Sequence, residues 1–97
     1  MNKYESVIIV NPTVDDEKLK ALEKSFEELI NKQGKVSKID ELGKKKLAYE
    51  KKKKKEGIYV VFYFEAEPSL IQELERNYRI TDEVIKFLDI KTEQGEE

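Results

Sequence analysis

Two blocks of lysine, Lys44–Lys46 and Lys51–Lys55, fall within residues 44–55, and only Glu50 opposes them there. The chemistry open to such a cluster is electrostatic. Ammonium groups bind phosphate oxygens and displace the counterions that a nucleic acid carries. The local excess is seven positive charges, although the whole chain is at −2 and its remainder holds 11 basic and 20 acidic residues. Concentrated charge steers binding more than the global sum does. A lysine-rich loop is more often simply solvated, and lysine with glutamate in excess also suits a protein that works hot. Here the charge is confined to one strand end and one turn, which favours phosphate contact.

Other chemistry is poorly supplied. The 21 acidic residues offer acid–base groups in principle, yet Asp15-Asp16-Glu17 fits a helix start and Glu27-Glu28 the polar side of a helix. Histidine and cysteine are absent, which removes the commonest acid–base residue, thiol chemistry, disulfides and the usual zinc sites. No glycine-rich phosphate loop, Ser/His/Asp set or metal-ligand spacing occurs. The sequence therefore reads as a binding protein, not an enzyme, with no cofactor, metal or small-molecule substrate. No apolar run is long enough for a membrane span and no signal peptide is recognisable, so a cytoplasmic location is expected.

The elements that must carry the lysines follow from periodicity. The chain has 97 residues, 41% of them charged, which suits one small domain with a polar shell. YESVIIV (Tyr4–Val10) is a β-rich run stopped by Asn11-Pro12. Val14–Gln33 changes to a helical period, with Leu19, Leu22, Phe26, Leu29 and Ile30 on one stripe. Thr13 or Asp15 is the candidate N-cap, and Gly34 is expected to close the helix in a left-handed conformation. Lys35–Tyr49 is extended, with Gly43 marking a bulge or bend. Glu50–Glu56 is the expected turn, and IYVVFYFEA (Ile58–Ala66) the central strand. Pro68 opens a second helix, which buries Leu70, Ile71, Leu74 and Tyr78. VIKFLDIK (Val84–Lys91) is the last strand.

The order β-α-β-β-α-β predicts an α+β, ferredoxin-like split βαβ sandwich: a four-stranded antiparallel sheet with helices near 16–33 and 68–79 on one face. One domain over residues 1–91 is expected, with a polar acidic tail at 92–97. Phe26, Leu29, Val60, Phe62, Phe64 and Leu74 should lie between the layers. Alternation then puts Tyr59, Val61 and Tyr63 on the uncovered face. RNA-recognition motifs stack bases on that face, but EGIYVVFY matches their signature only at the glycine, Val61 and the last aromatic. Tyr59, Val61 and Tyr63 are therefore read as protein-contact residues.

Longer blocks say more than charge. Tyr4-Glu5 with Asn11-Pro12, ELGKKKLAY (Glu41–Tyr49), Gly57-x-Tyr59 and ELERNYRITDEVIKFL (Glu73–Leu88) occur in the order found in the bacterial small-subunit ribosomal protein six family, which the chain resembles over about residues 3–91. The resemblance implies a structural, non-enzymatic role. Family members bind the central domain of small-subunit ribosomal RNA together with ribosomal protein S-eighteen during platform assembly. Carried over by position, Lys44, Lys45 and Lys46 occupy the family's basic stretch before Leu-Ala-Tyr. Lys86 stands where arginine is common, and Arg76 and Arg79 match basic positions near the end of the second helix. Leu42 replaces a frequent tryptophan, and Glu50 replaces a proline. Lysine at 44–46 keeps the charge of arginine but not its bidentate geometry. Lys44, Lys45, Lys46, Arg79 and Lys86, together with Lys51, Lys52, Lys53, Lys54 and Lys55, which rest on charge alone, form the expected RNA-binding set. The alternative is a regulatory or interaction module of the same fold that dimerises through its open sheet face.

Overall fold

A computed structural model describes residues 2–51 and 54–92, with side chains described over 2–46 and 56–92. Six elements follow in the expected order: β1 (Asn2–Val10), α1 (Asp16–Asn31), β2 (Gly34–Lys51), β3 (Lys54–Ala66), α2 (Pro68–Ile80) and β4 (Val84–Lys91). The strands form one sheet in the order β2-β3-β1-β4, antiparallel at each junction. The ferredoxin-like prediction holds.

Periodicity decides which face of the sheet is covered. Ile58, Val60, Phe62, Phe64 and Ala66 of β3 join Tyr4, Ile8 and Val10 of β1 in one core with Leu19, Leu22, Phe26 and Ile30 of α1 and Leu70, Leu74 and Tyr78 of α2. Phe26 sits at the centre, edge-on to Phe62 at 6.3 Å and to Tyr78 at 4.8 Å between ring centroids. Leu29, expected in the core, is only half-buried, because it lies at the margin of the helical stripe and packs against the core from its side.

Local signals account for the boundaries, with two corrections. Asp15 caps α1, its Oδ1 accepting the Lys18 N–H at 2.8 Å, while Thr13 bonds Asn11 instead. The helix ends at Asn31 with Lys32 as a right-handed cap, short of Gln33. Gly34 therefore does not close it in a left-handed turn; Gly34 starts β2, where a Cβ would collide with the Glu65 carbonyl and Ala66 of β3. The glycine serves close strand approach. Gly43 is the left-handed residue, at φ 85°, and the β2–β3 register shifts between Glu41 and Gly43 as a bulge. The hairpin is also tighter than the expected turn at 50–56, since Lys51 pairs with Lys54.

Candidate nucleic-acid interface

Cross-strand register brings the candidate basic residues to one end of the sheet. Lys44 of β2 lies opposite Ile58, Ile58 opposite Val10, and Val10 opposite Val84. The next row is Gly43, Tyr59, Ile9 and Lys86. Strands spaced about 4.8 Å apart put Lys44 and β4 roughly 14 Å from each other, at opposite edges. The C-terminal turn of α2, with Arg79, reaches this end because Thr81 and Asp82 lead directly into Val84.

The same register splits the set between faces. Lys44, Lys45 and Lys46 are all exposed, and they pair in turn with Ile58, Gly57 and Glu56. Lys45 therefore shares the open face with Tyr59 and Lys86, while Lys44 and Lys46 point to the helix side. Arg79 is also on the helix side: its guanidinium lies 5.5 Å above the Phe87 ring and 3.6 Å from the Glu75 carboxylate. Arg76 is exposed and lines, with Ser69, Gln72, Glu73 and Arg79, a shallow groove along α2. Lys51, Lys54 and Lys55 are placed by backbone in the hairpin ladder; Lys52 and Lys53 lie outside the described residues.

The open face is apolar at its centre. Val61, Val7 and Leu88 form one cross-strand row; Tyr63, Glu5 and Ile90 form the neighbouring one. Val61 and Ile9 are shielded by these neighbours to below 10% exposure without any helix above them, whereas Leu88 is 56% and Ile90 42% exposed. Tyr59 and Tyr63 are half-buried, and Lys38 Nζ sits 5.8 Å over the Tyr63 ring. A lysine over that ring leaves it poorly suited to base stacking. Leu88 and Ile90 were absent from the sequence-based set. Their signal was present, since VIKFLDIK carries apolar residues on both of its alternating sides.

Two carboxyl clusters lie under the sheet on the helix side. Glu23 of α1 is buried, with Oε2 lacking a hydrogen-bond partner, and burial together with the facing Glu41 carboxyl lifts it to about 7. Glu41 is held below its ordinary range by Glu23 and by Lys20, whose Nζ donates to Glu41 Oε2 at 2.7 Å. At the other edge, both oxygens of Asp89 are buried without a hydrogen-bond partner. Burial and the neighbouring Glu75 raise Asp89 to about 7. Among the described residues no group of three or more potential metal ligands forms, and no helix is long and apolar enough to cross a membrane.

Fold and surface together define a ferredoxin-like sandwich with a basic end and an uncovered apolar sheet face. The family model for ribosomal protein S6 matches residues 3–91. The small ribosomal subunit protein bS6 of Helicobacter hepaticus is 46% identical over the whole chain, which covers 72% of that protein. That of Caldanaerobacter subterraneus subsp. tengcongensis is 43% identical over 96% of the chain and 99% of its own length. The crystal structure of 30S ribosomal protein S6 from Thermotoga maritima superposes with a TM-score of 0.88, at 36% identity, over 94% of this chain and 87% of that one. The chain belongs to the ribosomal protein S6 family, proteins of the small ribosomal subunit.

Proposed function

We propose that the chain binds the central domain of small-subunit ribosomal RNA jointly with ribosomal protein S-eighteen during platform assembly. The observation that carries this reading is the adjacency of a basic sheet end to an open apolar face: Lys45 and Lys86 flank the same surface that presents Tyr59, Val61, Leu88 and Ile90. RNA phosphates would meet Lys44–Lys46, Lys86, Arg79 and the Lys51–Lys55 block. The protein partner would cover Tyr59, Val61 and Tyr63, with Leu88 and Ile90 beside them.

Charge explains why two proteins are needed. Outside residues 44–55 the chain has 11 basic against 20 acidic residues, a balance that repels RNA unless a second, basic protein contributes phosphate contacts. Joint docking also raises the effective concentration of each protein at the RNA. Titrating central-domain RNA with each protein singly and then with both is the test. Weak binding alone and much tighter binding together is expected; equal affinity with and without the partner overturns the reading.

A further inference from the structure

We infer that the β2–β3 ribbon bridges two RNA helices, holding backbone of one on each of its faces. The inference rests on the RNA contact proposed above and concerns the kind of RNA which that contact fits. Pairing with β1 ends where Val10 meets Ile58, and Ile58 is also the last core residue of β3 toward the hairpin. Beyond it, among the described residues, β2 and β3 pair only with each other, through Lys45–Gly57, Lys46–Glu56 and Lys51–Lys54. At about 3.4 Å per residue, the step from Gly57 to Lys54 carries this ribbon roughly 10 Å outward.

The ribbon presents positive charge on both faces. Lys45 points to the open side, while Lys44 and Lys46 point to the helix side. All three are exposed. Lys45 stands opposite Gly57, which has no side chain to counter it, and Lys46 stands opposite Glu56. A ribbon laid against a single phosphate surface would use the cations of one face and leave the others in water.

The shape of RNA decides what can meet both faces. The minor groove of an A-form helix is wide and shallow, and its major groove is deep and narrow. A ribbon lying on the minor groove offers it one face. With side chains on both faces the ribbon is about 10 Å thick, which suits neither entry into the narrow groove nor a grip on both strands of one helix. Two faces are engaged where a second helix passes on the far side, as at a helical junction. Acidic residues set the path of that second helix. Lys20 of α1 bonds Glu41 of β2 at 2.7 Å, so the exposed Asp16 and Glu17, about one turn earlier, lie toward the base of the ribbon. Lys18 holds Glu83 at the same end, at 3.6 Å. These carboxylates repel phosphate from the helix side of the body, and RNA there meets the outer Lys46 before Lys44. The open side has no such barrier: the row next to Lys45 is Gly43, Tyr59, Ile9 and Lys86.

The test uses the full chain, its partner protein and central-domain RNA. The chain has no cysteine, so Lys45→Cys and Lys46→Cys, labelled before assembly, each carry one iron chelate that cleaves nearby RNA backbone. Cleavage centred on two different helices, one for each position, is expected. Cleavage from both positions centred on the same helix overturns the inference. Salt dependence is the second readout. Lys45→Gln and Lys46→Gln should each lower the slope of log affinity against log salt by about 0.7–0.9, and together by about twice that. On a plain hairpin duplex only one of the two should matter; equal effects there mean that one helix engages both faces, which overturns the inference. A slope on central-domain RNA that only one substitution changes, or neither, overturns it as well. Failure to bind central-domain RNA at all overturns the RNA reading and this inference with it.

Discussion

Ser6 Oγ and the Tyr78 hydroxyl lie 2.7 Å apart, 72 positions apart in sequence, and join β1 to α2 inside the core. Tyr78 is 1% exposed, so its phenol has no water to turn to. Ser6→Ala strands that hydroxyl and should cost about 1–3 kcal/mol. Tyr78→Phe should cost a similar amount, while the double variant should cost clearly less than the sum, since neither unpaired group then remains. Urea denaturation of the four proteins checks this; strict additivity would mean the bond contributes nothing.

Glu23 gives stability a pH dependence of defined sign. Burial and Glu41 raise its carboxyl from 4.5 to about 7, with Glu27 adding to the rise and Lys20 opposing it. Between those values the folded protein holds a proton that the unfolded chain has released. Stability therefore falls as pH rises from about 4.5 to 7 and levels off above. Asp89, raised from 3.8 to about 7, acts in the same direction. The urea midpoint should be higher at pH 5 than at pH 8. Glu23→Gln should flatten that difference in part, because an amide offers Glu41 a permanent donor.

The glycines separate two kinds of backbone demand. Gly43 has open space around it but sits at φ 85°, so Gly43→Ala should cost about 1–2 kcal/mol in conformational strain. At Gly34 an added Cβ meets backbone and side-chain atoms of β3, and neither strand can yield without breaking the ladder. Gly34→Ala should be the more damaging substitution. Thermal unfolding of both variants ranks them.

Most of the architecture was legible because the decisive residues repeat. The stripe from Leu19 to Ile30 and the alternation through Val60, Phe62 and Phe64 each signal a face several times over. Phe62 is fully buried, and Phe62→Ala should cost about 3–5 kcal/mol. The facing of the lysines was not legible. It depends on register shifts between Val36 and Lys38 and between Glu41 and Gly43, and each shift reverses the side to which later residues point. Asp89 and Glu23 were hidden for another reason: a carboxyl in a strand or helix pattern reads as solvated, and only the tertiary fold buries oxygens of both and brings Glu23 to Glu41 and Asp89 to Ser6 and Glu75. Gly34 matched a helix-end signal, but sheet packing and not the helix terminus requires it.

The lysines at 44–46 and 51–55 separate a functional basic end from a solvated one. Where they meet phosphate, substitution should weaken RNA binding almost uniformly across RNA sequences, and each lost contact should lower the slope of log affinity against log salt by about 0.7–0.9. Folding should hardly change, because exposed lysines contribute roughly ±0.5 kcal/mol each. Replacing Lys44–Lys46 by glutamine should matter more per residue than replacing Lys51–Lys55, since both the sequence resemblance and charge support the triplet and charge alone supports the other five. The split between faces sharpens the test. Lys45 shares its side with Lys86, and Lys44 and Lys46 share theirs with Arg79. Lys45→Gln with Lys86→Gln reports RNA crossing the open face, and Lys44→Gln with Lys46→Gln reports RNA along the helix side. A salt slope unchanged after all eight lysine replacements, in a protein that still folds, would leave the block as a solvated hairpin.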